Sequence, residues 1–477
     1  MKRNIKRLLP LLLVVSLLFS FLAVGAAAAT RGDVDLDGTV SPADARLALR
    51  RCVKLETYLP GSSQFIAADM DGDGAVSAWD ARAVLLTAVE EPTGIDEIEP
   101  EEKTPDAAFQ TAMLRFALAL FRQTAAQDAG RNLLVSPLSV MTALNMAANG
   151  AAGDTLAQLE QTLGGSLTTA DLNAYLHTLA ENLPNSEQSR LHIANSVWVN
   201  NMVRQAVKQP FLQNMLAYYG AGINACDFDE AALEAINNWV RENTENMIDS
   251  ILNEPNPDIL MLLLNALAFD AKWQNQFEET RVSKTVFTRA DGATEDCDMM
   301  RGSERIYLED ENTAGFIKNY MGGDYHFVAL LPEEGVAIDD YIAALTPEKL
   351  SALLTGAQED ATVNAGLPKF SFSYDVTLNE ALQALGITDL FSASNCNFTN
   401  MFPETIGAYV SDVIHKTYLH VTEKGTEAAA ATAVMVMATG MITAPPVEFT
   451  ADRPFTWCIL DEVTGEILFS GIVRTLA

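Results

Sequence analysis

In the C-terminal three quarters of the chain, apolar residues recur first at helical spacing and later in short runs that suit strands. Phe109, Met113 and Phe116 fall on one face of a helix, because three or four positions separate each from the next. His326–Leu331 and Phe455–Leu460 are mostly apolar runs with the length of a buried strand. The pattern predicts a mixed α+β domain.

The N-terminus carries a different pattern, a cationic start followed by one long apolar run. Basic residues at positions 2, 3, 6 and 7 precede the apolar stretch Leu8–Phe21, and small residues fill Ala26–Ala29. This order is typical of a secretory signal peptide, which predicts residues 1–29 as the leader, cleavage before Thr30 and a secreted protein. The alternative is an uncleaved membrane anchor, since the apolar part is nearly long enough to span a bilayer.

Two acidic segments of the same design follow, Asp33–Asp44 and Asp69–Asp80, whose starting points are 36 residues apart (69 − 33 = 36). Each matches a twelve-residue calcium loop, in which oxygen atoms from positions 1, 3, 5, 7, 9 and 12 surround the ion. Glycine 38 and glycine 74 occupy the sixth place, where the loop turns sharply. The predicted calcium ligands are Asp33, Asp35, Asp37, Thr39, Ser41 and Asp44 in the first loop, and Asp69, Asp71, Asp73, Ala75, Ser77 and Asp80 in the second.

Each loop runs into an apolar helical stretch, Ala45–Val53 or Ala81–Val89, and neither loop shows a helix of its own before it. Position 12 is aspartate rather than the glutamate of an EF-hand. The duplicated segment, residues 30–90, resembles a dockerin type I module, a small all-α domain. The resemblance implies two calcium ions and a cohesin of a scaffold protein as partner. Trp79 suits an interface anchor and equally a residue packed between the two helices. The positions that correspond to the cohesin-binding surface are Pro42, Ala43, Arg46, Ala78, Trp79 and Arg82.

Composition narrows the range of partners. The 477 residues carry a formal net charge of −32, which excludes nucleic acids and anionic membranes because their phosphates would be repelled. Residues 91–106 are acidic and punctuated by proline, so they are predicted to form a stiff, self-repelling linker. The five cysteines lie far apart, without the paired spacing of a zinc site, and are expected to be mostly free and buried.

No catalytic motif appears after the linker. The sequence has no Gly-x-Ser-x-Gly elbow, no His-Glu-x-x-His helix and no phosphate-binding Gly-x-x-x-x-Gly-Lys loop. The base of a triad would have to be one of the five histidines, none of which has a recognisable nucleophile context. We therefore predict that the protein is not an enzyme and assign no catalytic residue.

The most informative segment is Glu423–Ala433, which runs Glu-Lys-Gly-Thr-Glu-Ala-Ala-Ala-Ala-Thr-Ala. Helix propensity favours a helix for part of it. A second interpretation is a mobile segment that can enter a sheet, because alternate residues would face inward and all of them are small or β-branched. Gly425 gives the backbone freedom to turn at the start of the segment. The inward-facing residues would be Thr426, Ala428, Ala430, Thr432, Val434 and Val436.

This segment resembles the hinge of an inhibitory serpin, and further segments agree with serpins, in the same order, along residues 107–477. They are Asn132–Ser139, Asn195–Trp198, Asn265–Phe277, Leu367–Phe370, Phe449–Phe455 and Gly465–Gly471. The resemblance implies the α+β serpin fold, with central β-sheets, surrounding helices and an exposed reactive-centre loop. It assigns the hinge to Glu423, Gly425, Thr426, Glu427, Ala428, Ala429, Ala430 and Ala431, and the region where the central sheet opens to Ser136, Ser139, Asn265, Trp273 and His415.

The resemblance also implies a suicide mechanism, in which a serine protease cuts the loop and is trapped covalently while the loop enters the sheet. Counting from the hinge places the cut bond at Thr439–Gly440, whereas counting back from Phe449 favours Met441–Ile442. No lysine or arginine lies between Lys424 and Arg453, so elastase-, subtilisin- or chymotrypsin-like targets are expected. The alternative is a non-inhibitory serpin that acts as a scaffold-bound binding protein. In either case we expect a secreted monomer, associated with a cellulosome or the cell surface through its scaffold.

Overall fold

The computed structural model describes residues 31, 34–36, 42–52, 62–68, 76–77, 95, 98–426 and 445–476. The chain divides into two compact units, Met1–Ile95 and Asp96–Ala477. The predicted signal peptide and the helix predicted over Ala81–Val89 lie outside the described residues. No helix in the described ranges combines the length and the hydrophobicity that a membrane span requires.

The small unit contains two described helices, α1 (Pro42–Cys52) and α2 (Ser63–Ala68). Helix α1 begins three residues earlier than the apolar pattern predicted, with proline at its first position, where a missing N–H is harmless. Helix α2 ends directly before the second acidic loop, where we expected no helix. That expectation was wrong because six residues are too few to show a helical period. The core of the unit consists of Val34, Ala48, Phe65 and Ala68, with Leu47 and Val76 packed against it.

The large unit is the predicted α+β domain. Its first helix buries the face that the sequence spacing indicated, including Phe109, Met113 and Phe116. Asp106 caps this helix by accepting hydrogen bonds from two backbone N–H groups. The described helices of the unit are α3 (Ala107–Gln127), α4 (Pro137–Gly150), α5 (Gly153–Leu163), α6 (Thr169–Asn182), α7 (Gln209–Tyr219), α8 (Glu230–Asn243), α9 (Ile338–Ala344), α10 (Pro347–Thr355) and α11 (Asn379–Ala384).

The strands of the large unit lie between and after these helices. The described strands are β1 (Leu133–Val135), β2 (Ser189–Asn200), β3 (Gly222–Cys226), β4 (Met261–Lys272), β5 (Ser283–Thr288), β6 (Thr294–Glu304), β7 (Ile306–Asp310), β8 (Thr313–Asn319), β9 (Tyr325–Pro332), β10 (Val363–Pro368), β11 (Phe370–Thr377), β12 (Ile414–Val421), β13 (Gly425–Thr426), β14 (Val447–Thr450), β15 (Phe455–Asp461) and β16 (Ile467–Val473).

These strands form three sheets. The central sheet has the order β11-β12-β13-β4-β2-β3, the second sheet β1-β16-β15-β9-β8-β7, and the third sheet β14-β10-β6-β5. Both strand-like runs of the sequence lie in the second sheet, as the antiparallel neighbours β9 and β15. A continuous apolar run suits such strands because both of their faces are covered. Helix α4 packs against β4 and against β16, so the core lies between the central and second sheets.

Residues 98–106, which we call the strap, form most of the stretch that composition predicted as a stiff, self-repelling linker, and they are attached to the large unit. The backbone N–H of Glu101 donates to Tyr218 Oη at 3.2 Å, and that of Lys103 donates to Thr178 Oγ1 at 2.8 Å. An ion pair from the Lys103 ammonium to α6 reinforces the attachment. The strap therefore belongs to the large unit. Composition could not show this, because backbone groups make the main contacts.

Replacing Thr178 with valine tests the strap, because valine keeps the side-chain volume and removes the acceptor of the Lys103 N–H. We expect a local loss of about 1 kcal/mol, the net contribution of one such hydrogen bond, and so amide exchange about five times faster in residues 98–106. Hydrogen-exchange mass spectrometry of the full chain measures this. Thr111→Val is the matched control, since Thr111 makes the same intrahelical bond at an exposed site. Equal exchange in parent and Thr178→Val would contradict the attachment.

Candidate functional site

The central sheet is interrupted between β4 and β12. In the described chain these strands are joined only through β13, which consists of Gly425 and Thr426. Thr426 pairs with Ala271 of β4 on one side and with Val421 of β12 on the other. Beyond β13, the two strands border a cavity of about 850 Å³. The sheet therefore contains a slot, which begins at β13 with the width of one strand.

The lining of this slot includes segments of both strands and of helix α4. Leu263–Leu267 of β4 form one wall and Ile414–Thr417 of β12 form the other, while α4 contributes Val140 and Leu144. The lining includes four of the five residues predicted for sheet opening, Ser136, Ser139, Asn265 and His415. The fifth, Trp273, lies at the β13 end, where it contacts the hinge.

Ser136 and His415 join the slot to the core through hydrogen bonds. The backbone N–H of Ser136 donates to His415 Nε2 at 3.0 Å, and its hydroxyl donates to the Leu468 carbonyl at 2.7 Å. Ser136 Oγ also caps α4 by accepting the N–H of Ser139 at 3.3 Å. Burial lowers the pKa of His415 to about 4, and an accepting Nε2 requires the neutral ring. These contacts give Ser136, Ser139 and His415 a structural role.

Asn265 brings an amide into the middle of the slot. Its Nδ2 donates to Asn195 Oδ1 at 2.9 Å, and Asn195 Nδ2 donates in turn to the Tyr219 carbonyl at 2.9 Å. The Oδ1 of Asn265 is buried and has no hydrogen-bond partner within the described ranges. A buried acceptor without a partner is costly, so this oxygen favours a donor that enters the slot. Sequence reasoning had placed Asn195 in a motif but had given it no role.

Trp273 anchors the hinge at the β13 end of the slot. Its backbone N–H donates to the Lys424 carbonyl at 2.9 Å, and its indole Nε1 donates to the Thr422 carbonyl at 2.8 Å. Its ring stacks on Tyr320, with ring centroids 4.4 Å apart. The hydroxyls of Tyr320 and Thr426 are 2.6 Å apart, so this tyrosine also binds β13. Tyr320 was not predicted, because a single tyrosine after a strand carries no pattern.

Two further contacts fix the start of the hinge. Glu423 forms an ion pair with Lys369 at 2.7 Å. Glycine is required at position 425, because a Cβ there would lie 2.1 Å from the carbonyl oxygen of Ala271. Gly425 therefore serves close backbone approach as well as the freedom that its sequence context predicted. The remaining hinge residues, Glu427–Ala431, and both candidate bonds, Thr439–Gly440 and Met441–Ile442, lie outside the described residues.

The predicted calcium loops of the small unit are described in part. Asp44, at position 12 of the first loop, is fully buried, and its Oδ1 accepts the N–H groups of Val34 and Asp35 at 2.7 and 2.9 Å. This carboxylate closes the loop onto the first turn of α1, which fits the part of a position-12 ligand. Of the other predicted calcium and cohesin positions, the structure describes the side chains of Asp35, Ser77 and the exposed Arg46.

Comparison with known protein families decides the identity of both units. The family model described as Serpin (serine protease inhibitor) matches residues 111–476. The chain is a serpin. The family model described as Dockerin type I domain matches residues 31–85, so the serpin domain carries an N-terminal dockerin type I domain. Because serpins are protease inhibitors, the prediction that the protein is not an enzyme is confirmed.

Individual relatives are matched over nearly their whole length. Iripin-2 of Ixodes ricinus is 32% identical over 382 residues, which cover 78% of this chain and 94% of that protein. The leukocyte elastase inhibitor of Homo sapiens is 30% identical over 375 residues, covering 76% of this chain and 97% of that protein. Among solved structures, the thermophilic serpin tengpin in its native state is similar, with a TM-score of 0.74 and 39% identity over 80% of this chain and 98% of tengpin.

The cysteines of the serpin domain agree with the expectation of free thiols. Cys297 and Cys458 are buried, Cys226 and Cys396 are half-buried, and all four are free. Burial raises the pKa of Cys396 to about 11 and that of Cys458 to about 12, so both stay protonated at neutral pH.

Because burial lowers the pKa of His415, we predict that the serpin domain loses stability in acid. The folded ring titrates near pH 4 and an unfolded histidine near 6.5, so unfolding takes up a proton between these values. As the pH falls through this window, the contribution of His415 to the free energy of unfolding should drop by about 3 kcal/mol. Urea unfolding of the parent and of His415→Gln, whose amide oxygen can accept the Ser136 N–H, measures the difference. His420→Gln, half-buried on the same strand, is the control. A parent and a His415→Gln variant with equal pH dependence would contradict the assignment.

Proposed function

We propose that this serpin is a secreted inhibitor of serine proteases that is consumed in the reaction. Its loop is cut by the target, and the cut loop enters the slot of the central sheet with the protease still attached. The observation that carries the proposal is the slot itself, a gap of one strand below the two-residue strand β13. Membership of the serpin family and the similarity to a leukocyte elastase inhibitor support it.

The register of β13 predicts how the loop fills the slot. Thr426 lies opposite Ala271 in an antiparallel pair, so each following residue of the loop would lie opposite the preceding residue of β4. Continued to Met261, where β4 begins, this ladder accommodates residues 427–436. These inserted residues would gain about ten or more backbone hydrogen bonds, worth roughly 10 kcal/mol in total. That gain can drive loop entry.

The same register gives the loop a polar group where the slot is polar. Counted along β4, Thr432 would lie opposite Asn265, and counted along β12 it would lie opposite His415. Thr432 would share its face with Thr426, whose side chain is already buried. Its hydroxyl could then donate to the Oδ1 of Asn265, which has no partner in the described chain. The presence of Thr432 within a run of alanines therefore supports the proposal that the loop enters the slot.

We place the cut bond at Thr439–Gly440, with Met441–Ile442 as the second candidate. Both follow the end of the ten-residue ladder, so the ladder can form while the protease stays bound beyond it. The absence of lysine and arginine between Lys424 and Arg453 favours targets with apolar specificity pockets, of the elastase, subtilisin or chymotrypsin type. An elastase-like target also agrees with the name of the human relative.

We further propose that the dockerin domain binds two calcium ions and attaches the inhibitor to a cohesin of an extracellular scaffold. The duplicated acidic loops and the loop-closing carboxylate of Asp44 support calcium binding. The signal peptide predicted over residues 1–29 would export the protein, to a cellulosome or to the cell surface. The slot residues all belong to the other unit, Asp96–Ala477.

Inhibition is tested by mixing the full chain with pancreatic elastase, subtilisin, chymotrypsin and trypsin, followed by SDS gels and mass mapping of released peptides. We expect an SDS-stable complex with at least one of the first three proteases and none with trypsin. The released peptide should begin at Gly440, or at Ile442 for the second candidate. Clean cleavage without any complex would favour the non-inhibitory serpin instead.

Two neighbouring substitutions sharpen this experiment, because they differ only in the sheet face that they would occupy. Thr432→Arg would bury a charge on the inward face of the entering strand and should turn inhibitor into substrate, with at least about a tenfold loss of complex per cut loop. Ala433→Arg would point outward and should keep most of the complex. Equal complex formation by the two variants would contradict the predicted register.

Calcium binding is predicted to be confined to the dockerin. Titration calorimetry of the chelated full chain with calcium chloride should give two sites, and Asp44→Ala or Asp80→Ala should each remove one of them. Glu102→Ala replaces an exposed acidic residue outside both loops and serves as the control. A parent that binds no calcium, or variants that still bind two ions with the parent's affinity, would contradict the ligand assignment.

A further inference from the structure

A buried ion pair lies beside the hinge of the serpin domain. It joins Lys318 of β8 to Glu304 at the end of β6, with side chains that are 2% and 7% exposed. Taking two charges out of water is costly, and apolar residues of similar volume are often as stable in such places. Stability alone therefore does not account for this pair.

The Lys318 ammonium has contacts beyond its carboxylate partner. It donates to the carbonyl of Asn275 at 2.7 Å, and it lies 4.1 Å from the ring centre of Phe277 and 5.5 Å from that of Trp273. A charge-assisted hydrogen bond and cation–π contacts are strong where water is excluded. All three contacts fall on one segment, Trp273–Phe277, which we call the bracket. The ammonium therefore fixes the bracket from within the core.

The bracket in turn holds the hinge. The backbone N–H groups of Trp273 and Phe277 donate to the carbonyls of Lys424 and Glu423, both at 2.9 Å. The Trp273 indole donates to the carbonyl of Thr422 at 2.8 Å. The bracket thus binds the three consecutive carbonyls just before β13. The position of the bracket depends in turn on the Lys318 ammonium.

Neither charge is suited to this site without the other. Burial raises the pKa of Glu304 and lowers that of Lys318, and in each case the partner opposes the shift. If one partner were removed, the other would favour its neutral form or move toward water. In both cases the bracket would lose its support.

We propose that the Lys318–Glu304 pair is a positioning element of the inhibitory mechanism. It locks the bracket, which follows β4 directly and binds the carbonyls that follow β12, so the ends of the two strands stay tied together and entry of the uncut loop into the slot is delayed. This inference rests on the proposed function, since it concerns the barrier to loop entry. An uncut loop that entered by itself would leave a monomer with no bond to offer a protease. The pair keeps the loop outside the sheet until it is cut.

The test compares Lys318→Met, Glu304→Gln and the double variant, all in the full chain. Each protein is incubated at raised temperature, and urea-gradient gels follow the fraction of monomer that becomes resistant to urea, the mark of a completed sheet. We expect all three variants to convert at least about tenfold faster than the parent, the effect of losing one charge-assisted hydrogen bond at the bracket. The double variant should also recover the denaturation midpoint of the parent, because no lone charge remains.

A double variant that converts faster than the parent but has the parent's denaturation midpoint separates positioning from a general effect on stability. Lys284→Met with Asp298→Asn is the matched control, because it removes an exposed ion pair between β5 and β6, and it should convert at the parent's rate. A double variant that converts at the parent's rate would overturn the inference. So would conversion rates that merely follow the denaturation midpoints of all the variants.

Cutting the loop of the parent with subtilisin separates this inference from the proposed function. If the cut parent does not become urea-resistant, its loop does not enter the sheet and the proposed function fails. If the cut parent becomes resistant while the variants convert at the parent's rate, the proposed function stands and the positioning element alone is refuted.

Discussion

The serpin domain depends on a pair of strand edges in the middle of a sheet that have no continuous neighbour among the described residues. β4 and β12 are each bound on their far side, β4 to β2 through eleven residue pairs and β12 to β11 through eight. These ladders hold the two strands in place, so the gap between them cannot close by a small shift of either strand. Interior strand edges leave backbone groups in need of partners, and β13 supplies two residues for them. In the described chain, the slot therefore leaves backbone groups of β4 and β12 available for hydrogen bonds to an inserted strand.

The polar side chains within the slot lining support the open form of the slot. A gap lined by large apolar side chains gains by closing, whereas His415 and Ser136 have their hydrogen bonds only while β12 stays beside α4. Asn265 likewise keeps its hydrogen bond to Asn195 across the β2–β4 ladder, while its Oδ1 remains able to accept a further hydrogen bond. The open form is thus supported by directional contacts, and an entering strand could satisfy the Asn265 oxygen, which has no hydrogen-bond partner among the described residues.

Sequence reasoning reached the parts of this arrangement that leave a local pattern. Gly425 and the small residues after it predicted a segment able to enter a sheet, and four of the five predicted sheet-opening residues line the slot. It missed what depends on contacts between distant segments. Lys318 stands in a short strand where a lysine normally indicates a solvent-facing position, and its carboxylate partner lies fourteen residues earlier on another strand. Neither position carries a periodicity that would reveal the pair.

The contacts at the hinge also have a magnitude that the proposed mechanism requires. The three carbonyl acceptors before β13 and the hydroxyl contact of Thr426 amount to four hydrogen bonds, or about 4 kcal/mol at typical net values. Loop entry over ten residues would return roughly 10 kcal/mol, so a barrier of this size at the β13 end cannot prevent entry once the loop is cut. Before the cut, β14 holds the far end of the loop beside β10, and most of that gain is out of reach. Anchors of this strength can therefore delay entry of the intact loop without opposing entry of the cut one.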